Sequence, residues 1–180
     1  MGLIVFVFFF LAVLIILTLN IITKKEPSAR ALAKVSISAT VTTLLFFATM
    51  VVLYYGIPQI NVYLSKLFLT GIAVTSYLLL DMAVKIPYFE KKKRIKFTVF
   101  NVALHSVSLV IPFLFFEGFF WDPVIGFHFS SQLILGFSAE KFFGGITLLF
   151  TSALALFISL AKAGKETSKI YKQQILFFSL

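Results

Sequence analysis

The stretch KIPYFEKKKRIK, residues 85–96, decides how the fold of this chain is interpreted. It holds six of the sixteen Lys and Arg, and it separates two long apolar stretches near the middle of the chain. Lys and Arg next to membrane-length segments stay on the cytoplasmic side, because they resist translocation. The stretch therefore predicts a cytoplasmic loop, and the direction of every other apolar segment follows from it.

The composition is typical of a membrane protein. Of 180 residues, 60% are hydrophobic and 13% are charged, and this charged share is about half that of soluble domains. The net charge is +9, but the basic residues lie in short blocks between apolar stretches. Anionic lipid headgroups are therefore the expected partner, and nucleic acid is not. Cysteine is absent, which excludes disulfides and cysteine metal sites.

Five apolar stretches are long enough to cross a hydrocarbon layer of about 30 Å as helices. The predicted spans are residues 2–23, 35–55, 63–84, 97–116 and 141–161. A further apolar run, ILFFSL, begins at Ile175 and is too short to span. The predicted fold class is all-α: one polytopic transmembrane bundle over residues 1–180, with five spans and the start of a sixth. Such a chain is either complete or cut from a longer protein.

The distribution of basic residues predicts one orientation. Four Lys or Arg follow the first span, six lie in the central block and four follow the fifth span, together fourteen of sixteen. Lys66 and Lys141 are the exceptions. An outside N-terminus and cytoplasmic basic loops follow from this count. The expected location is the bacterial inner membrane.

The connection after the fourth span is then extracytoplasmic. It opens with EGFFWDP at 117–123, an acidic and aromatic stretch typical of a membrane interface. Residues 123–140 alternate in a way that suits a short hairpin or an interfacial segment. Trp121, Asp122 and His128 are its candidate functional residues.

The fourth span carries the clearest polar feature inside an apolar segment. Asn101, His105, Ser108 and Pro112 recur at three- and four-residue spacing, so they share one helix face that should point at protein. Interhelical hydrogen bonding, worth about 1 kcal/mol per contact, is one interpretation. A protonatable switch or ligand contact is the other, because histidine titrates near neutral pH. No metal site is expected, since the only other histidine, His128, lies in the outer loop.

Asp81 is the acidic residue inside a predicted span. Tyr77 lies one turn before it and Lys85 one turn after it. Asp at position i with Lys at i+4 is the favourable orientation for an ion pair on a helix. The cytoplasmic end of the span favours this structural role over a proton relay.

The fifth span carries small residues at regular spacing. Gly145, Ser152 and Ser159 repeat every seven residues, with Ala155 on the same side. Small residues on one stripe let helices approach closely, which predicts a packing face or a moving interface. A homodimer is left open.

Two sequence segments carry a resemblance to a known family. One is WDPVIGFHF at 121–129, after the fourth span, and the other is the linker KETSKIYKQQILFFSL at 165–180. With the outside N-terminus and the short basic loops, the chain resembles the N-terminal seven-span sensor region of bacterial histidine kinases and related cyclases. The resemblance implies a cytoplasmic output domain, a kinase or cyclase, beyond residue 180. It carries over no site residues.

The expected function is therefore a membrane-embedded sensory input domain that passes a signal to a cytoplasmic effector. A small transporter or channel, or a non-catalytic structural subunit, is the alternative. Transporters are expected to show internal repeats or broken helices, and enzymes a cluster of carboxylates, histidines or lysines. The sequence shows neither pattern, so this region is not expected to be an enzyme or to hold a cofactor. A small-molecule ligand stays undefined.

Overall fold

The computed structural model describes residues 27–85, 91–122, 126–131, 133–134 and 137–165, together with Ile15. Within these residues, four helical segments are long and apolar enough to cross a membrane. The chain is therefore mostly helical and is consistent with an integral membrane protein. The predicted first span at 2–23, apart from Ile15, and the apolar run from Ile175 lie outside the described residues.

Five helices and one π-helical turn form these membrane-length segments of the described chain. In chain order they are α1 (Pro27–Tyr54), α2 (Pro58–Lys85), α3 (Lys91–Phe115), α4 (Ala139–Gly144), the π-helical turn (Gly145–Phe150) and α5 (Thr151–Lys165). The last three follow one another without a break, and together we call them the C-terminal span.

The described helices begin earlier than the sequence predicted. The second span was predicted from residue 35, but α1 begins at Pro27, and the third was predicted from residue 63, but α2 begins at Pro58. Proline suits the first position of a helix, because the N–H that it lacks would have no helical partner there. α3 likewise begins at Lys91, inside the basic block, since lysine and arginine are good helix formers.

The segment after α3 is β-structure, so the prediction of a purely α-helical chain is wrong there. β1 (Phe116–Asp122) pairs antiparallel with β2 (Gly126–Ser131), and β3 (Leu133–Ile134) pairs with β4 (Phe137–Ser138). A short hairpin was one of the two predicted alternatives for residues 123–140; β3 and β4 form one there, whereas β1 of the larger hairpin lies before that segment. Asn61 at the start of α2 is buried and holds the hairpin in place, because its Nδ2 donates to the carbonyl of Phe119 at 2.5 Å.

α2 is the central helix of the bundle, and it packs against α1, α3, α5 and β1. Two apolar clusters form along it. The cluster near the hairpin consists of Leu69, Ala73, Ile111, Phe116, Ala139 and Phe143. The cluster at the opposite end consists of Leu80, Ala83, Val84, Ala155 and Ile158. Tyr77 lies on α2 between the two clusters, at a polar layer described below.

The α1–α2 contact depends on a glycine and three hydroxyls that the sequence did not single out. Ser38 Oγ lies 2.9 Å from Thr75 Oγ1, and Thr42 Oγ1 lies 3.3 Å from the same atom. A Cβ at Gly71 would lie only 2.6 Å from Thr42 Oγ1. The close approach of these helices therefore requires glycine at this position.

Gly71→Ala is expected to destabilise the protein. The added methyl group would push α1 away from α2, and overpacking of this kind costs about 1–3 kcal/mol, partly offset by the better helix propensity of alanine. The measurement is the midpoint of thermal unfolding in detergent micelles, followed by circular dichroism. Gly144→Ala is the matched control, since nothing lies within 4 Å of a Cβ there. An unchanged midpoint for Gly71→Ala would show that α1 and α2 do not pack this closely.

Candidate functional site

The polar face of α3 meets α2 and the C-terminal span at one buried junction. Asn101, His105 and Ser108 are 2%, 2% and 0% exposed. These exposures agree with the expectation that this face points at protein. We call Tyr77, Asn101, His105 and Thr151 the polar junction.

The ring of His105 contacts all three helices of the junction. Its Nδ1 lies 3.0 Å from the backbone carbonyl of Asn101. A carbonyl oxygen only accepts, so this bond requires the proton on Nδ1. Nε2 lies 3.5 Å from Thr151 Oγ1, and the ring of Tyr77 meets the imidazole edge-on at 5.7 Å. Nε2 is thus left as an acceptor that faces a hydroxyl.

Asn101 links α3 to α2. Its Nδ2 donates to the backbone carbonyl of Tyr77 at 3.1 Å. Its Oδ1 is buried and accepts no hydrogen bond from any group in the described part of the chain. A buried acceptor without a donor costs about 1–3 kcal/mol. The junction therefore contains one polar atom whose hydrogen bonding is incomplete.

Thr151 is placed by the π-helical turn. Its backbone N–H bonds to the carbonyl of Ile146, five residues earlier, and its Oγ1 also donates to that carbonyl at 3.0 Å. A hydroxyl has one proton, so Thr151 can donate either to Ile146 or to His105 Nε2. π-turns within α-helices are frequent at functional sites. The junction thus has two competing hydrogen-bond arrangements.

Pro112 lies within α3 and is fully buried. Because proline has no N–H, it leaves the carbonyl of Ser108 without its helical donor. Ser108 Oγ donates to the carbonyl of Leu104 at 3.3 Å. The backbone hydrogen bonding of α3 is therefore interrupted at Ser108, one turn beyond His105.

Of the predicted small-residue stripe, Ala155 is buried in the described bundle and the other members are not. Ser152 is exposed, and Ser159 and Gly145 are partly exposed. The buried positions of the C-terminal span are Thr147, Thr151, Ala155, Ile158, Lys162 and Ala163. The π-helical turn adds a residue to one turn, so the seven-residue spacing between Gly145 and Ser152 does not keep them on one face. Thr147 and Thr151, both 0% exposed, were not among the predicted residues, although their i, i+4 spacing is a signal of a shared face.

Lys162 was counted in the sequence only as a basic flank of the fifth span. It is 9% exposed, and its Nζ donates to the carbonyls of Ala83 at 2.6 Å and Val84 at 2.8 Å. These carbonyls lie in the last turn of α2 and have no helical donors. A positive charge there also interacts favourably with the helix dipole. Lys162 therefore joins α5 to the end of α2.

Lys66 makes a similar contact at the other end of the bundle. Its Nζ donates to the carbonyl of Phe113, in the last turn of α3, at 3.1 Å. In the sequence it was counted as an exception to the distribution of basic residues. The structure gives it a helix carbonyl as partner, and it thereby connects α2 to the end of α3.

The remaining predicted residues are placed only in part. Asp81 is partly buried on the last turns of α2, near Ala83. The side chain of Lys85, its predicted ion-pair partner, lies outside the described part of the chain. The side chains of Trp121, Asp122 and His128 do so as well. Their backbones lie in the hairpin, where Trp121 pairs with Phe127, Asp122 with Gly126 and His128 with Phe120.

Among the described residues, no group of three His, Asp or Glu side chains is arranged to hold a metal ion. The chain matches no family model, no curated protein and no solved structure. The likeness to the sensor regions of histidine kinases therefore stays a prediction from the sequence.

Proposed function

We propose that this chain is a membrane-embedded sensory input domain in which the polar junction switches between two packings. The competition for the hydroxyl proton of Thr151 is the observation that carries the proposal. If Thr151 donates to His105 Nε2, it no longer donates to the carbonyl of Ile146 in the π-helical turn. Two packings that differ in which of these bonds is formed would supply the two states that a signalling equilibrium needs.

The low dielectric of the span interior supports this interpretation. A buried hydrogen bond there is strong, and an unmet acceptor is costly, so a small change at the junction shifts the balance by a large amount. Asn101 Oδ1 is an acceptor of this kind. A ligand or a second packing that supplies a donor would stabilise one state over the other.

The C-terminal span offers a route from the junction to the basic end of the bundle. α5 begins at Thr151 and reaches Lys162, whose ammonium group binds the last carbonyls of α2. A change in the π-helical turn would rotate or shift α5 and therefore alter this contact. Under the proposal, the signal then passes to a cytoplasmic effector, a kinase or a cyclase, that follows the chain.

The proposed location is the bacterial inner membrane, with the N-terminus outside and the basic loops at anionic headgroups in the cytoplasm. Alkaline phosphatase fused after Glu90 is then expected to be inactive, and the same fusion at Ser130 active, because the enzyme folds only outside the cytoplasm. Phosphatase activity in whole cells, corrected for the amount of fusion protein, is the measurement. The opposite pattern would rule out the orientation.

Distances between two spin labels, measured by double electron–electron resonance, test the switch itself. The chain has no cysteine, so Lys96→Cys and Lys165→Cys would carry the only two spin labels. Both positions are exposed, one near the start of α3 and one at the end of α5, and both lie at the basic end of the bundle. We expect two distance populations in lipid bilayers.

Thr151→Val should change the ratio of these populations, because it removes the contested proton while keeping the volume of the side chain. Ser152→Ala is the matched control, since Ser152 is exposed and next to Thr151. One narrow population that Thr151→Val leaves unchanged would contradict the switch. A non-catalytic structural subunit would then be the better interpretation of this chain.

A further inference from the structure

A cleft of about 200 Å³ opens between α2 and α3 beside the polar junction. Tyr77, His105 and Ser106 contribute its polar lining, and four apolar residues contribute the rest. Two of these, Val74 and Val102, are on the outer surface of the bundle and are 37% and 47% exposed. In a bilayer, the cleft would therefore open towards lipid rather than towards water.

A second cleft, of about 520 Å³, lies next to the first along α3 and shares one lining residue with it. Both are lined by Ser106, and the second continues along α3 towards Phe115 and across to Phe142. Its other lining residues, Val107, Val110 and Ile111, are aliphatic. The two clefts thus combine a compact space that has polar groups at its wall with a longer apolar space.

The hydrogen bonds at the junction indicate which ligand group suits it. Of the groups that line the first cleft, His105 supplies an acceptor at Nε2, which faces the proton that Thr151 shares with the carbonyl of Ile146, and Tyr77 supplies a hydroxyl that can donate. Ser106 Oγ already donates to the carbonyl of Val102 at 2.8 Å, so its lone pairs can only accept further. A ligand hydroxyl could accept from Tyr77 and donate to His105 Nε2, so it would satisfy both groups.

The ligand should also be uncharged. His105 lies near the middle of α3, far from both helix ends, and an ionised group at that depth is costly. We propose that the two clefts bind a neutral lipophilic alcohol or phenol from the bilayer, with its hydroxyl at Tyr77 and His105 and its apolar tail along α3. If the proposed sensory function holds, this molecule is the stimulus, but the binding itself does not depend on signalling.

Nuclear magnetic resonance of the two histidines tests the proposal directly. The chain contains two histidines, His105 and His128, so labelling with ¹⁵N-histidine gives two sets of ring signals. The spectrum of His105→Gln would show which set belongs to His105. The probe is para-hexylphenol, titrated into the protein in lipid nanodiscs. We expect the His105 ring signals to shift in a saturable manner while those of His128 stay in place.

Hexylbenzene is the matched ligand control, because it lacks only the hydroxyl. We expect it to bind about fivefold more weakly, because it cannot form the hydrogen bond that the hydroxyl makes. Tyr77→Phe, which keeps the ring, should weaken the phenol and leave hexylbenzene unaffected. Equal affinities for the two probes would overturn the assignment of a hydroxyl ligand.

Val102→Phe should fill the cleft and weaken para-hexylphenol about tenfold or more. Val99→Phe is its control, since Val99 is 64% exposed on the same helix and does not line the cleft. Retained binding in Val102→Phe would overturn the site.

An imidazolium spectrum of His105 near neutral pH, without any ligand, would also overturn the proposal, because Nε2 would then carry a proton and could not accept from the ligand. None of these readouts involves signalling, so a failure here leaves the spin-label test of the proposed function intact.

Discussion

Lys162→Met is expected to lower the unfolding midpoint more than any other single lysine substitution at the described positions. Methionine keeps the apolar stem packed but removes the ammonium group that binds the carbonyls of Ala83 and Val84. Hydrogen bonds from a charged donor contribute about 1.5–3 kcal/mol each, although water at the bundle end would replace part of this. The loss should appear as a lower thermal midpoint in detergent micelles.

Lys165→Met is the control for this substitution. Lys165 lies three residues later on α5 and is exposed, so the same change of side chain removes no buried contact. A destabilisation seen equally in both variants would mean that net charge, and not the link to α2, is responsible. A stabilised Lys162→Met would show that the cost of desolvating the ammonium exceeds the benefit of its hydrogen bonds.

Thr151→Leu is expected to have the second large effect. Thr151 is 0% exposed, so the larger side chain must displace α3 or α5, and overpacking costs about 1–3 kcal/mol. The substitution also removes the hydroxyl that faces His105. The folded yield and the thermal midpoint should both fall, and the His105 ring signals should change.

Ser152→Leu provides the comparison within the same turn. Ser152 is exposed, so a leucine there would face lipid and should leave the midpoint close to that of the parent protein. The small-residue stripe predicted from the sequence would give the opposite order, with Ser152→Leu the more damaging change. The relative midpoints of these two neighbours therefore decide which face of the C-terminal span packs.

Hydropathy predicted four of the apolar segments that the structure describes as helices, because apolar length is a local property of the chain. Their boundaries were less well predicted. Pro27 and Pro58 look like helix breakers in a sequence, yet a helix can begin at either residue. Only the course of the chain on both sides distinguishes these two roles of proline.

The polar face of α3 could also be recognised from the sequence, since Asn101, His105 and Ser108 follow the helical period. Their partners could not. The carbonyl of Tyr77 and the hydroxyl of Thr151 belong to helices distant in sequence, and only packing brings them within reach. The same holds for Gly71, whose importance arises from the position of Thr42 on a different helix.

By itself, the sequence determined the apolar helical segments, their expected orientation and the residues that share the polar face of α3. These depend on composition and helical period, which are properties of neighbouring residues. The tertiary structure alone decided the π-helical turn, the packing face of the C-terminal span and the link between Lys162 and the end of α2. The carbonyls at the end of α2 lack helical donors wherever that helix ends, but only packing brings Lys162 of α5 within reach of them, because the two segments are distant in sequence.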